Sequence, residues 1–368
     1  MIWLLAGATL PSFLVALLAG FMVRSRAGSW RLVDRPGERK VHAAVTPLGG
    51  GIAIWLGVLL PLAIGHLLLV LMYRSDTPAV HLPAIVTDNA DGLLAQAGRL
   101  WMLLAAGTVL MGLGLMDDRR GLDWRLRIAV QTGIAVLVVA SGWRLTLFIE
   151  WPLATSFLSV LWIVVLVNAF NFLDNMDGLS AGVAAIAASI LAAVLLSAPE
   201  LDGGGPQWFV AGFLLVLVGA LVGFLWHNRP PARLFMGDAG SYFIGFYIAV
   251  ATIMATFSGG GQPRHAILAP LCVLAVPLYD AASVVVIRLR QGRSPFQGDT
   301  SHFSHRLVEL GLSKTQAVLT IYLATATTGL GALLLYQVNG SGAALILVLV
   351  ACVLALVAIL EGTSPRRS

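Results

Sequence analysis

Asn168, Asn171, Asp174 and Asp177 recur at every third position in the stretch Asn-Ala-Phe-Asn-Phe-Leu-Asp-Asn-Met-Asp-Gly, residues 168–178, directly after some fifteen apolar residues. If the helix continues, this spacing lines one stripe at its end. Carboxylate and carboxamide oxygens are hard donors of the type Mg²⁺ takes, and Mg²⁺ leaves positions open for water and substrate phosphates. Polar contact between helices explains a lone intramembrane Asn, but five Asn and Asp in eleven positions exceed it. Gly178 then permits a close turn.

Other segments carry compatible groups. Asp117-Asp118 ends an apolar run as Leu-Met-Asp-Asp-Arg-Arg. The pair suits either a divalent cation near phosphate or a helix end whose repulsion Arg119 and Arg120 offset. Asp238, in Phe235-Met-Gly-Asp-Ala-Gly-Ser, opens another run, as a helix cap or a ligand. The segment 35–50 mixes Arg39, Lys40 and His42 with Thr46, Gly49 and Gly50, suited to phosphate or to membrane anchoring. Near the far end, Asp299, His302, His305 and Arg306 offer a phosphate-binding surface or a metal site. Asp280, inside an apolar run, either pairs with Arg288 or lines a cavity.

The elements that must position these groups follow from composition. Charged residues are 11% and hydrophobic residues 58%, with mean hydropathy +0.88, which excludes an ordinary soluble domain. Apolar runs near the length that crosses about 30 Å of hydrocarbon fall at roughly 2–23, 47–72, 100–116, 127–141, 153–173, 178–197, 207–226, 240–257, 266–289, 316–337 and 342–360. Such runs predict an all-α, polytopic helix bundle of ten or eleven spans, because lipid forces backbone groups to pair within each segment. The first run lacks a basic leader and a small-residue cleavage site, and reads as a retained helix. Cys272 and Cys352 lie within apolar runs and supply no disulfide framework or zinc site.

Alternating the loops of eleven spans puts nineteen of the 23 Lys and Arg on one side. By the positive-inside bias that side is cytoplasmic, with the N-terminus outside and the C-terminus inside. The net charge of +5 is therefore juxtamembrane bias, not nucleic-acid binding. Asp117, Asp118, Asp174, Asp177 and Asp238 all fall on the basic side, with Lys40, His42, His302 and His305. The expected architecture is one transmembrane catalytic domain, 1–368, in the plasma membrane. Loops 24–46, 117–126, 174–178, 227–239 and 290–315 form its cytoplasmic site. Hard ligands, phosphate-binding cations and a lipid-facing bundle suit phosphoryl transfer from a soluble donor to a lipid phosphate. Ion conduction would instead need polar residues through a whole span.

Taken in order, five motifs resemble the polyprenyl-phosphate N-acetylhexosamine-1-phosphate transferases (glycosyltransferase family 4). They are Glu38-Arg39-Lys40-x-His42 with Thr46-Pro47-x-Gly49-Gly50; Asp117-Asp118; and Asn168-x-x-Asn171-x-x-Asp174-x-x-Asp177-Gly178. The last two are Asn228-x-x-Pro231-Ala232-x-x-Phe235-Met236-Gly237-Asp238-x-Gly240-Ser241, and Ser294-Pro295-Phe296 with Asp299-x-x-His302. The resemblance implies Mg²⁺-dependent transfer of a sugar-1-phosphate from a UDP-N-acetylhexosamine to undecaprenyl phosphate, releasing UMP. It implies metal ligation by Asp238 and Asn171, with Asp117 and Asp118 near the metal and lipid phosphate. Asp174, Asn175, Asp177, Asn228 and Phe235 would face the nucleotide, Phe235 stacking on uracil. Lys40, His302 and His305, with His42 and Arg306 in the same motif loops, would contact substrate. A homodimer is a common assembly in the family.

Two departures stand out. The last loop reads His302-Phe-Ser304-His305 where adjacent histidines are frequent, and Asn175 stands where Gly is usual. The loop also differs from the branch that transfers phospho-N-acetylmuramoyl-pentapeptide, which shows three consecutive histidines, so an N-acetylglucosamine donor is expected and the muramoyl reaction is the alternative. An intramembrane prenyltransferase would need two Asp-rich clusters that Asp117-Asp118 and Asp238 do not match. A transporter would need mid-membrane charges and an inverted repeat; Asp280 alone fits the first.

Overall fold

Long apolar runs punctuated by Gly, Pro and polar clusters fold here into helices that end where those clusters stand. The computed structural model describes residues 2–34, 46–73, 90–145, 151–197, 206–257, 264–296 and 301–362. The helices are α1 (Ile2–Arg26), α2 (Gly50–Tyr73), α3 (Ala90–Ala95), α4 (Ala97–Arg120), α5 (Trp124–Ala140), α6 (Pro152–Leu173), α7 (Leu179–Leu196) and α8 (Trp208–Asn228). They continue as α9 (Gly237–Phe257), α10 (Ala269–Val273) after a 3₁₀ turn at Arg264–Leu268, α11 (Ala275–Arg290), α12 (Phe303–Glu309), α13 (Lys314–Leu334) and α14 (Gly340–Gly362). A two-stranded antiparallel ribbon, β1 (Val33–Asp34) with β2 (Thr46–Pro47), pairs Val33 with Pro47 and Asp34 with Thr46.

Each of the eleven apolar runs is helical, though not all are simple spans. Nine helices among the described residues are long and apolar enough to cross a membrane, or ten if a bent pair is one span. That pair is the ninth run, broken by 64° between the 264–273 and 275–290 pieces. Pro277 accounts for the break: it has no N–H to give the carbonyl four residues back, at Val273. The fourth run, α5, has only 17 residues, or about 25 Å of rise, the short limit for a span.

The bundle is organised around α9, whose apolar window is 89% buried, whereas that of α14 is 11% buried and faces outward. Helices α2, α4 and α6 pack on α9. Small residues let the backbones meet. A Cβ on Gly114 of α4 would lie 2.4 Å from the Asp238 carbonyl, and one on Gly51 of α2 would lie 2.2 Å from the Gly240 nitrogen. These approaches bring the first turn of α9 against the ends of α2 and α4. On one flank α1 packs on α8 and α2; on another, α13 packs on α7, α10 and α12.

Candidate active site

The first turn of α9 is where the acidic motifs meet. A helix start leaves N–H groups without intrahelical partners, and two carboxylates from other helices take three consecutive ones. Asp174, the C-cap of α6, accepts from the Gly237 N–H. Asp118, near the end of α4, accepts from Asp238 N–H at 2.9 Å through Oδ1 and from Ala239 N–H at 3.3 Å through Oδ2. Gly237 has φ +73°, and a Cβ there would sit 2.5 Å from an Asp118 oxygen. Only glycine fits both the conformation and the contact.

The side chain of Asp238 is thereby aimed between α5 and α6. Asn171 Nδ2 donates to Asp238 Oδ1 at 2.6 Å and to Ser241 Oγ at 3.1 Å. Arg127 Nη1, from the first turn of α5, lies 3.9 Å from Asp238 Oδ2. The same Arg127 atom donates to Asp117 Oδ2 at 2.8 Å, and Tyr242 O–H donates to that oxygen at 3.0 Å. Asp117 Oδ1 accepts from Leu122 N–H at 2.7 Å. Both Asp117 oxygens are thus engaged inside the protein, and what Asp117 does here is hold Arg127 beside Asp238. Asp238 keeps a side-chain exposure of 30%.

Electrostatics at Asp174 register the crowding. Burial, then the neighbouring Asp118 and Asp177 carboxylates, push its pKa up to about 8 against the pull of the Gly237 N–H. Asp177 is anchored by the Ala232 N–H at 2.9 Å. The turn it belongs to is pinned from behind: Asn228 Oδ1 accepts from Gly178 N–H at 2.9 Å, and Tyr322 O–H donates to the Gly178 carbonyl at 2.5 Å. Asn228 Nδ2 also donates to the Leu234 carbonyl at 2.9 Å, so Asn228 is buried as a brace between the 174–178 turn and the 229–236 segment. That segment is fixed in turn by Phe235 N–H donating to the Pro47 carbonyl at 2.8 Å, and Gly50 N–H donating to the Phe235 carbonyl at 2.9 Å. The Phe235 ring is half-buried.

The last motif loop folds over the end of α6. Asp280, fully buried in α11, accepts from Phe303 N–H at 2.6 Å and lies 3.2 Å from His302 Nδ1. His302 packs edge-on against Phe172, beside the acidic turn, and its ring is 6.4 Å from that of His305. Ser304 Oγ donates to Asn175 Oδ1 at 2.5 Å, tying this loop to the 174–178 turn. Asp280 therefore pairs with His302; Arg288 instead donates to the Pro295 carbonyl at 2.7 Å and lies over the Phe172 ring. Phe296 stacks on Trp124 at the start of α5, with centroids 3.9 Å apart.

Asp117, Asp118, Asn171, Asp174, Asp177 and Asp238 are gathered at one end of the bundle, with Asn175, Phe235, His302 and His305 bordering them. Arg306 is turned elsewhere: it donates to Ser283 Oγ at 2.8 Å and to the Ser301 carbonyl, and pairs with Glu361 of α14 at 3.0 Å. Lys40, His42 and Asp299 lie outside the described residues. Residue-type reasoning passed over Arg127, Tyr242, Ser241, Ser304 and Tyr322. Arg127 carried a usable signal, being a cation just inside an apolar run; the hydroxyl groups carried none.

Residues 100–256, from α4 to α9 and so including Asp117, Asp118, Asp174, Asp177 and Asp238, match the glycosyl transferase family 4 profile. The chain is 34% identical over 348 residues to the decaprenyl-phosphate N-acetylglucosaminephosphotransferase of Mycobacterium tuberculosis H37Rv, covering 89% of this chain and 81% of that one. The chain belongs to glycosyl transferase family 4. This family 4 protein is also 29% identical over 324 residues to the probable undecaprenyl-phosphate N-acetylglucosaminyl 1-phosphate transferase of Bacillus subtilis strain 168, covering 86% and 80% of the two chains. It is 28% identical over 328 residues to the undecaprenyl-phosphate alpha-N-acetylglucosaminyl 1-phosphate transferase of Escherichia coli K12, covering 85% and 79%.

Proposed function

We propose that this family 4 transferase moves N-acetylglucosamine-1-phosphate from UDP-N-acetylglucosamine to a polyprenyl phosphate in a Mg²⁺-dependent reaction, with the site facing the cytoplasm. An oxygen of the lipid phosphate forms a bond to the β-phosphorus of the nucleotide sugar. The bond from that phosphorus to the bridging oxygen breaks, and the electron pair leaves on UMP. The observation that carries this reading is the meeting of Asp118, Asp174 and Asp238 at the first turn of α9, with Arg127 held by Asp117 beside Asp238, at the end of an apolar bundle.

The donor set suits Mg²⁺. Among the described residues no three His, Cys, Asp or Glu form a metal-holding group. Mg²⁺ usually takes one or two protein carboxylates and fills its octahedron with water and substrate phosphates, so Asp238, with Asn171 beside it at 2.6 Å, would be a sufficient protein contribution. A bound Mg²⁺ would neutralise charge on the transferring phosphate. The chain's own residues do the rest. Arg127 offers a guanidinium beside Asp238 where phosphate charge builds. His302, oriented by Asp280, and His305 face the donor's phosphates. Phe235 and the 174–178 turn frame the nucleotide, and Trp124 with Phe296 bounds the approach over α6.

A place for the acceptor's tail also exists. A crevice of about 300 Å³ lies between α6, the end of α9 and α10, lined by Leu158, Leu161, Trp162, Val165, Thr252 and Leu271. Trp162 Nε1 donates to Thr252 Oγ1 at 2.9 Å, which leaves the lining apolar. A prenyl chain there would place its phosphate toward Asn171 along the same helix. The test is purified protein with undecaprenyl phosphate, Mg²⁺ and a panel of UDP-sugars, following UMP. Release with UDP-N-acetylglucosamine alone is the expected result. Release only with UDP-N-acetylmuramoyl-pentapeptide would assign the muramoyl reaction instead.

A further inference from the structure

Beside the 229–236 segment, a cavity of about 700 Å³ opens where α1 ends next to β2. Its described lining is Phe21, Arg24, Ser25, Thr46, Pro47, Ala232 and Arg233, two arginines and no carboxylate. Ala232 belongs to both sides of the segment, its N–H donating to Asp177 while it lines the cavity together with Arg233.

The arginines are held together by a buried histidine. His227, 1% exposed, fits because α1 has glycine at position 20, where a Cβ would sit 2.3 Å from the ring. His227 Nε2 is 3.0 Å from the Leu17 carbonyl. A carbonyl only accepts, so Nε2 carries the proton and Nδ1 is an acceptor. Arg24 Nη1 lies 3.5 Å from Nδ1, in reach to donate to it. Arg233 is bound to the same residue, its N–H donating to the His227 carbonyl at 2.8 Å. Here two guanidiniums share a concavity whose lining, among the described residues, holds no carboxylate, which is favourable once an anion enters.

The rim says which kind of anion. Phe21 is 49% exposed, and Leu10, Leu14 and Leu18 continue that apolar flank along α1. Trp226, 50% exposed on the adjoining helix, carries Arg229 at 4.2 Å from its ring, as at a membrane–water boundary. We infer that this cavity binds a phosphate group, with Arg24 and Arg233 as its contacts, and that the phosphate is the headgroup of an anionic membrane lipid. Its arginines, Arg24 and Arg233, have no part in the transfer described above, and the inference stands whether or not the donor is UDP-N-acetylglucosamine.

The experiment is native mass spectrometry of the purified full chain given equal phosphatidylglycerol and phosphatidylcholine, beside thermal unfolding with and without inorganic phosphate. Retention of phosphatidylglycerol over phosphatidylcholine by about tenfold is expected, falling to parity in R24Q/R233Q. R233Q alone changes an exposed side chain, keeps the fold, and should lose part of the preference. If inorganic phosphate protects the wild type and not the variants while lipid preference is unchanged, the phosphate site stands and the lipid source is rejected. Equal lipid retention and equal phosphate response in wild type and both variants would overturn the site altogether.

Discussion

Asp118 caps the helix that carries Asp238: its carboxylate accepts the Asp238 and Ala239 N–H groups at 2.9 and 3.3 Å. One acid of the site is thus a structural part for another. The Asp118 charge complements the positive end of α9, fixes where α9 begins, and so fixes which way the Asp238 side chain leaves the backbone. With Asp174 on the Gly237 N–H, the helix start is clamped by α4 and α6 together.

Gly237→Ala should therefore disable the enzyme more than it unfolds it. The left-handed φ costs a side chain about 1–2 kcal/mol, and the added Cβ pushes on the Asp118 carboxylate. Turnover is expected to fall by about a hundredfold or more, since misplacement by about 1 Å has that effect, with the protein still inserted and monodisperse in detergent. Activity within a few-fold of wild type would show that Asp238 does not depend on this clamp.

Asp117 and Arg127 should behave as one unit. Asp117→Asn leaves Arg127 without the charge of its 2.8 Å partner, and Arg127→Gln leaves Asp117 with an unmatched charge. Each is expected to lower kcat about a hundredfold, and the double variant to be no worse than either, because residues in one network are not additive. Two independent losses that multiply in the double variant would mean that Asp117 contacts substrate by itself.

The polar clusters in otherwise apolar runs made much of this site readable before any fold was known. Asp174 and Asp177 have no reason to stand at a membrane edge unless something there needs their oxygens. Arg306 shows the limit: beside two histidines it reads as a phosphate contact, yet its partner Glu361 is 55 positions away and in another helix. Long-range pairing of that kind leaves no local pattern. Asn228 is similar, its motif position marking a brace across two loops. The broken ninth run was hidden because apolar composition continues through Leu274 while only Pro277 marks the bend.

Asp280→Asn tests whether His302 needs its orientation. The carboxamide oxygen still accepts the Phe303 N–H, so α12 keeps its start. His302 loses a charged partner at Nδ1. The expected result is a KM for UDP-N-acetylglucosamine raised about tenfold, the size of one charge-assisted hydrogen bond of roughly 1.5 kcal/mol, with little change in thermal stability. A fall in melting temperature with KM unchanged would make Asp280 a packing residue.

Asp174 makes stability depend on pH in a direction opposite to that of ordinary paired carboxylates. Its pKa is about 8 in the fold and 3.8 as an unperturbed group. Between those values the folded protein holds a proton that the unfolded chain has released. Fewer protons on the unfolded state mean that stability falls as pH rises through this window, and levels off above about pH 8. With divalent cations chelated, the melting temperature in detergent should be higher at pH 6 than at pH 8.5. Asp174→Asn, which cannot ionise, should lessen that difference, and added Mg²⁺ should restore stability most at the higher pH, where the carboxylate is charged. A melting temperature that climbs with pH in chelator, or an unchanged slope in Asp174→Asn, would mean that Asp174 is already ionised and that the crowding of acids at α9 has been relieved by another group.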